Sequence, residues 1–254
     1  MILDSFRLDG RVALVTGANR GLGRGAAVAL AEAGADVALL GRTAPAETGE
    51  LIAKLGRRTV HLPCDLAVAS PAELGAAVDT AVAELGRLDV LVNNAGVIRR
   101  ADALAVTPGD WDEVVTVDLD AVFHLCQAAG RAMVAQGTGK IINVASMLSF
   151  QGGVRVPAYA AAKHAVLGLT RALANEWASL GVNVNAIAPG YMATDNTAAL
   201  RADPVRAAAI LDRIPAGRWG TADDLAGAVV FLASDAARYL HGAVLPVDGG
   251  WLAR

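Results

Sequence analysis

The chain has 254 residues, of which 54% are apolar and 19% charged, and its formal net charge is −3. This length and composition are enough for one large domain with a substantial buried core, so we expect a single domain spanning residues 1–254. The charge gives no electrostatic footprint for nucleic acid or an anionic membrane. The N-terminus lacks a cationic, apolar leader and no apolar run is long enough to cross a bilayer, which favours a cytoplasmic protein with neither kind of partner.

The cysteines and histidines do not suggest a metal site. Cys64 and Cys126 are the only cysteines, and their apolar surroundings favour buried free thiols over a disulfide or a metal pair. The four histidines lie too far apart to form a local ligand motif. We therefore expect no metal, although distant ligands that converge in the fold stay open.

An apolar strand, VALVT, runs into a glycine-rich turn and then into an alanine-rich helix. Gly17, Gly21 and Gly23 fall in this turn with the spacing T-G-x-x-x-G-x-G. Glycine lets the backbone turn tightly and approach a pyrophosphate, while the helix presents free N–H groups and the positive end of its dipole. A second strand, DVALL, follows the helix and supplies the context that such a motif requires. The pattern predicts a dinucleotide site.

Gly41 and Arg42 come directly after the second strand. Sites for NAD commonly use an acidic residue here to hold the ribose 2′-hydroxyl, whereas a 2′-phosphate favours an arginine. Arg42 therefore favours NADP(H), with NAD(H) still open. The alternative is a solvated surface arginine, which is the default for this residue type.

The rest of the chain keeps alternating strands and helices. The further predicted strands are TVHL, DVLVNN, KIINVAS, VNVNAIA and AVLPV. Such alternation predicts an α/β fold with a Rossmann-type, doubly wound parallel sheet, since each parallel return needs a crossover. One long irregular stretch, at about 190–220, follows VNVNAIA at the carboxyl edge where ligands bind, so we expect a lid there. A packed surface helix is the alternative.

Three residues are suited to proton transfer, namely Ser146, Tyr159 and Lys163. The segment VPAYAAAKHAVLGLTRALANEW predicts a helix, on which Tyr159 and Lys163, at i and i+4, share one face. Free tyrosine ionises near pH ~10, and a neighbouring ammonium favours the phenolate. Ser146 closes KIINVAS, from which its hydroxyl can hold the oxygen of a carbonyl or carbinol against Tyr159. The Y-x-x-x-K string alone would often be coincidence.

In this combination the chain resembles the short-chain dehydrogenase/reductase family over essentially its whole length. The matching motifs are Thr16 to Gly23, Asn93-Asn94-Ala95-Gly96, the trio Ser146, Tyr159 and Lys163, and Pro189-Gly190 followed by Thr194. The resemblance implies hydride transfer between a nicotinamide cofactor and a secondary alcohol or ketone. In that mechanism Tyr159 is the acid–base, Ser146 orients the oxygen, and Lys163 lowers the tyrosine pKa and holds the nicotinamide ribose.

The resemblance also implies the cofactor contacts. In the family Arg20 lies near the same ribose as Arg42, and Asp65 stands where an acidic residue meets adenine. The predicted cofactor-binding residues are Gly17, Asn19, Arg20, Gly21, Leu22, Gly23, Arg42, Asp65, Leu66, Asn93, Ala95, Gly96, Tyr159, Lys163, Pro189, Gly190, Met192 and Thr194.

One position departs from the family pattern. Many members carry an asparagine that supports a water chain to the lysine, and WDEVVTVDLDAVF places Asp118 there. We predict Asp118 as a fourth catalytic residue, since it can still accept from water. Its charge would strengthen the ammonium form of Lys163.

A closer resemblance within the family, to dehydrogenases of six-carbon sugar acids in uronate catabolism, implies the substrate. Arginine suits its carboxylate, because the planar guanidinium donates two parallel hydrogen bonds. Each arginine has a surface ion pair as its alternative. The predicted substrate-binding residues are Ser146, Met147, Gln151, Arg155, Tyr159, Arg99 and Arg100.

The family also implies a homotetramer, with the C-terminal segment GAVLPVDGGWLAR at a subunit interface. Packing within their own subunit would explain the apolar Trp251 and Leu252 equally well. Three rival functions stay open: gluconate 5-dehydrogenase, 3-oxoacyl-carrier-protein reductase, and a dinucleotide-sensing regulator without turnover.

Overall fold

Seven strands form the frame of the protein in the computed structural model, which describes residues 1–254. They are β1 (Val12–Thr16), β2 (Asp36–Gly41), β3 (Thr59–Pro63), β4 (Val90–Asn93), β5 (Gly139–Val144), β6 (Val182–Pro189) and β7 (Val244–Val247). All pairs are parallel, in the order β3-β2-β1-β4-β5-β6-β7. The predicted α/β sheet is confirmed, and each predicted strand coincides with an observed one to within two residues.

Nine α-helices connect the strands. They are α1 (Gly21–Glu32), α2 (Ala46–Lys54), α3 (Pro71–Leu85), α4 (Pro108–Val115), α5 (Ala121–Gln136), α6 (Pro157–Trp177), α7 (Ala198–Ala202), α8 (Pro204–Arg213) and α9 (Ala222–Ala233). Helices α1 and α9 cover one face of the sheet, while α3, α5 and α6 cover the other. None of the helices is long and apolar enough to cross a lipid bilayer.

Apolar side chains are packed on both faces of the sheet, which explains the largely apolar strands of the sequence. In β1, Val12 and Leu14 pack into one hydrophobic layer, and Ala13 and Val15 pack into the other. Alternate residues of a strand point to opposite faces, so a strand covered on both sides favours apolar residues at consecutive positions.

The strand order reverses between β1 and β4, which are direct neighbours. Connections leave these two strands in opposite directions, and a crevice opens at their carboxyl ends. The glycine-rich turn follows β1, Asn94 to Gly96 follow β4, and Ser146 follows β5. The topology therefore gathers motifs from across the sequence at one edge of the sheet.

Residues 190–220 are largely helical, which corrects the prediction of an irregular stretch. Helices α7 and α8 occupy most of it, and the Asp203 side chain caps α8 by accepting from the backbone N–H of Val205 and Arg206. The run Asp-Pro at 203–204 is an N-cap followed by proline at the first helical position, a helix-start signal. The ends of the segment are tied together, because Ala193 N donates to Gly220 O (2.7 Å) and Gly220 N to Tyr191 O (2.9 Å). We call residues 191–220 the flap, and its role as a lid stays a prediction.

The C-terminal tryptophan packs within its own subunit. Trp251 is 6% exposed and lies in a small apolar cluster with Met147, Ile210 and Ile214. Intrachain packing, one of the two explanations that the sequence left open, therefore accounts for its burial.

Candidate active site

A cavity of about 1230 Å³ opens at the carboxyl edge of the sheet and is bordered by the flap. The glycine-rich turn, the residues that follow β2 and β4, the catalytic trio and flap residues all contribute to its wall. Every predicted site residue lines this cavity except Asn93, Asp118 and Arg155.

The glycine-rich turn has the geometry of a pyrophosphate site. Gly17 and Gly21 have φ of +67° and +56°, the left-handed region that favours glycine. A Cβ on Gly23 would collide with the carbonyl oxygen of Gly17. Helix α1 begins at Gly21. The first N–H groups of a helix have no partner within it, and here no capping side chain supplies one. These residues fit a dinucleotide, whose phosphates such a helix terminus binds.

Asn94, which belongs to the matching motif but not to the predicted cofactor contacts, ties the glycine-rich turn to the loop after β4. Its Nδ2 donates to the carbonyl of Thr16 at 2.9 Å, and Thr16 Oγ1 accepts from the backbone N–H of Asn94 (3.0 Å) and Ala95 (2.9 Å). The neighbouring Asn93 is directed into the protein, where its Nδ2 donates to Asn143 Oδ1 at 2.9 Å. Consecutive residues at a strand end face opposite ways, so the Asn93 side chain lies outside the cavity wall, and its predicted cofactor contact stays a prediction.

Both arginines predicted at the ribose line the cavity and carry carboxylate partners. Arg42 Nη1 lies 3.6 Å from Asp65 Oδ2, and Arg20 Nη1 lies 2.8 Å from Asp195 Oδ2. The two arginine side chains are 72% and 69% exposed. Solvent screens such exposed pairs, so a phosphate can compete for either guanidinium.

Ser146 is set in the cavity wall two residues beyond β5. Its Oγ accepts from the backbone N–H of Leu148 at 3.1 Å. Ser149 links this turn to α6, because its Oγ accepts from Ser146 N (3.2 Å) and donates to the carbonyl of Lys163 (2.7 Å). Ser149 thereby joins Ser146 to α6, the helix that carries Tyr159 and Lys163. The sequence carried no signal for this role beyond its position three residues after Ser146.

Lys163 lies one helical turn beyond Tyr159 on α6, as predicted. Its Nζ is 5.5 Å from the Tyr159 ring centroid and donates to the carbonyl of Val144 at 2.9 Å. Burial raises the pKa of Tyr159 above its ordinary value, whereas the Lys163 ammonium and the Ser146 hydrogen bond pull it down. The downward pull expected from Lys163 is present, but desolvation of the hydroxyl outweighs it.

Asp118 acts on Lys163 from behind the cavity wall. It sits in a π-helical turn, Thr116–Asp120, between α4 and α5, and it is fully buried. Its Oδ1 accepts from Val97 N at 2.8 Å, while its Oδ2 has no hydrogen-bond partner and lies 3.9 Å from Lys163 Nζ. Burial raises the pKa of this carboxyl, and the nearby ammonium opposes the rise. Asp118 does not line the cavity itself, but it contacts two residues that do, Val97 and Lys163. This is the arrangement of a positioning residue, and the predicted catalytic role of Asp118 stays a prediction.

Two of the three arginines predicted to read a substrate carboxylate are already paired. Arg99 forms two hydrogen bonds of 2.6 Å to the carboxylate of Glu113. Arg155 Nε lies 3.1 Å from Asp102 Oδ1, outside the cavity wall. Arg100 lines the cavity and donates to a backbone carbonyl, that of Asn196, at 3.0 Å. Arg99 and Arg155 thus form the ion pairs that were their alternative, and their predicted substrate contacts stay predictions.

Some residues that line the cavity were not among the predicted site residues. Arg206, Arg213 and Trp251 all line the wall near Met147 and Gln151. Arg206 and Arg213 are seven residues apart on α8, a spacing that places them on one face of a helix. The seven-residue spacing is present in the sequence, but it indicates a shared face only on a helix. Because this stretch was predicted to be irregular, the spacing was not used.

Comparison with known proteins matches this architecture to one family along the whole chain. A family model described as enoyl-(acyl carrier protein) reductase matches residues 17–252. The 2-dehydro-3-deoxy-D-gluconate 5-dehydrogenase of Escherichia coli (strain K12) is 56% identical over 255 residues, which is 100% of both chains. Among solved structures, an Agrobacterium tumefaciens protein with bound NADP is 56% identical (TM-score 0.90, 98% of this chain and 99% of that one). A gluconate 5-dehydrogenase from Burkholderia cenocepacia J2315, in complex with NADP and tartrate, is 42% identical (TM-score 0.94, 100% of each).

Proposed function

The chain belongs to the short-chain dehydrogenase/reductase family, and from that premise we propose that it is a 2-dehydro-3-deoxy-D-gluconate 5-dehydrogenase. Such an enzyme interconverts a secondary alcohol and a ketone on a six-carbon sugar acid. The observation that carries the proposal is a single cavity lined by both the glycine-rich turn and the trio Ser146, Tyr159 and Lys163. Identity of 56% over the full length supports the substrate class.

The chain's own residues supply the proton chemistry. A nicotinamide dinucleotide, when bound, provides the acceptor or donor of hydride. In the oxidative direction Tyr159, as phenolate, removes the proton of the substrate hydroxyl, and in the reductive direction its phenol returns that proton. Ser146 Oγ holds the substrate oxygen, and Lys163 Nζ stabilises the phenolate and holds the nicotinamide ribose.

We further propose that NADP(H) is favoured, with NAD(H) possible. Two exposed guanidiniums line the cavity, that of Arg42 directly after β2 and that of Arg20 at the start of α1. The two similar structures with bound NADP support the same cofactor class.

Arg42→Ala is expected to raise KM for NADPH about ten- to a hundredfold more than KM for NADH. Only NADPH loses a charge-assisted contact to its 2′-phosphate. Steady-state kinetics with both cofactors measure the difference, and Arg58→Ala, at an exposed arginine outside the cavity, is the matched control. Equal effects of Arg42→Ala on the two cofactors would show that Arg42 does not read the phosphate.

The proposed function is tested by a panel of aldonates and ketouronates, each offered with both cofactors while nicotinamide absorbance is followed. We expect the highest kcat/KM with 2-dehydro-3-deoxy-D-gluconate. Gluconate 5-dehydrogenase is the second candidate, favoured by the similar structure with that activity in its name. Preference for gluconate would select that candidate, and activity confined to a 3-oxoacyl thioester would reject both. No turnover of any compound despite cofactor binding would point to a dinucleotide-sensing regulator.

We also propose a cytoplasmic homotetramer with a small sugar acid, and no nucleic acid, as its partner. Trp111 and Phe123, on α4 and α5, expose 41% and 37% of their surface, and β7 is an edge strand. Apolar surface and an open sheet edge are features that a subunit interface covers. Light scattering at micromolar concentration is expected to give about four times the 25.9 kDa chain mass. A monomeric mass would reject the assembly.

A further inference from the structure

We propose that Arg213 reads the carboxylate of the substrate, and that Trp251 and Gln151 hold its guanidinium ready for that contact. The inference rests on the proposed function, because it identifies the residue by which this site would select a sugar acid over a neutral sugar.

The ion pairs of the cavity arginines show which of them are free to bind the substrate carboxylate. Arg20, Arg42 and Arg99 line the cavity with chain carboxylates 2.6–3.6 Å from their guanidinium nitrogens. Arg100, Arg206 and Arg213 also line it, and no carboxylate of the chain pairs with any of them. A ligand carboxylate can bind an arginine of the second group without displacing a carboxylate of the chain.

Arg213 differs from the other two because the buried Trp251 and the half-buried Gln151 hold its guanidinium. Its Cζ lies 4.0 Å from the ring centroid of Trp251, and its Nη2 is 3.4 Å from Gln151 Oε1. The same Gln151 oxygen accepts from Trp251 Nε1 at 3.0 Å. Trp251 is in turn packed edge-to-face against Tyr191, with ring centroids 4.8 Å apart. A ring stack and a shared acceptor leave little freedom to the guanidinium.

This arrangement lowers the cost of binding a carboxylate. A flexible arginine loses rotamer entropy when it grips a ligand, whereas one already held in place loses less. Stacking occupies a face of the guanidinium and leaves its edges free for two parallel N–H···O bonds. Arg100 has only one backbone carbonyl as its partner, and no side chain holds Arg206.

The position of Arg213 suits a six-carbon acid that reacts at C5. Four carbon–carbon bonds separate that carbon from the C1 carboxylate, so the anion must be bound at a distance from Ser146 and Tyr159. Gln151 lies five residues after Ser146 in the same loop. It lines the cavity together with Arg213 and accepts the hydrogen bond from Arg213 Nη2. Arg213 ends α8, so a ligand held there would also join the catalytic loop to the flap.

The experiment compares 2-dehydro-3-deoxy-D-gluconate with its methyl ester, which has the same carbon skeleton without the charge. The wild type is expected to show at least roughly tenfold higher kcat/KM for the acid. Arg213→Leu is expected to abolish this preference, mainly by raising KM for the acid, and Arg213→Lys to retain part of it. Arg238→Leu removes an exposed arginine outside the cavity and is the matched control, expected to keep the wild-type preference.

A second measurement is independent of turnover. Tartrate, a small dicarboxylate, is titrated calorimetrically into the NADP-loaded wild type, Arg213→Leu and Arg100→Leu. We expect Kd to rise at least roughly tenfold in Arg213→Leu alone. Unchanged affinity and acid preference in Arg213→Leu, or their loss in Arg100→Leu instead, would overturn the assignment. A wild type that turns over no sugar acid would refute the proposed function, and the tartrate titration would still decide for or against Arg213.

Discussion

Tyr159→Phe is expected to lower kcat by at least roughly 10²-fold while NADP binding stays near that of the wild type. The phenyl ring still packs at the start of α6, but the hydroxyl that exchanges a proton with the substrate is gone. Because Tyr159 is the one tyrosine next to both Ser146 and Lys163, no other phenol can replace it. Turnover is followed by nicotinamide absorbance and binding by fluorescence titration.

The matched control is Tyr191→Phe, which removes the hydroxyl of a second tyrosine on the same cavity wall. Its ring packs against Trp251 and Trp219, and phenylalanine preserves those contacts. We expect kcat within a few-fold of the wild type for this variant. Near-normal kcat in Tyr159→Phe, or equal losses in both variants, would show that the proton passes through another group.

Lys163→Met is expected to reduce kcat/KM by at least roughly 10²-fold and to move the pH profile. The Lys163 ammonium lowers the pKa of Tyr159, so its removal lets burial raise that pKa further. Alcohol oxidation needs the phenolate, and its rate therefore climbs at a higher pH in the variant than in the wild type. Ketone reduction needs the phenol, so its rate persists to a higher pH. Profiles of kcat against pH in both directions measure the shift.

Two further variants test whether nearby charges set the pKa of Tyr159, because they predict the direction in which the pH profile moves. Lys163→Arg keeps the positive charge, and we expect its profile to stay closer to that of the wild type. Asp118→Asn removes a carboxylate that raises the pKa of Tyr159, so its oxidative profile is expected to move to lower pH. A shift in the same direction for Lys163→Met and Asp118→Asn would contradict electrostatic control of Tyr159.

Folding must be separated from chemistry in Lys163→Met. The substitution leaves Asp118 buried without its ammonium neighbour, and breaking a buried charge pair on one side is strongly destabilising. The double variant Lys163→Met/Asp118→Asn removes both charges, and it is expected to recover thermal stability without recovering kcat. Thermal melts of both variants provide the comparison.

The sequence by itself determined the sheet, the glycine-rich turn and the spacing of Tyr159 and Lys163. These features depend on local patterns, namely apolar runs of strand length, glycines between a strand and a helix, and a one-turn interval on α6. An apolar run of strand length depends mainly on its own residues and immediate neighbours, which is why the predicted strands agree with the structure to within two residues.

Only the tertiary structure decided which charged and polar side chains face the cavity. Arg99 and Arg155 were both predicted to bind the substrate, and each pairs with a carboxylate, Glu113 or Asp102, through contacts that no local pattern reveals. Arg213 gained its position from Gln151 and Trp251, which lie 62 and 38 residues away along the chain. Ion pairs and ring stacks form between whichever groups the fold brings within a few ångströms, so the partner of an arginine is a property of the packed chain and not of its neighbours in sequence.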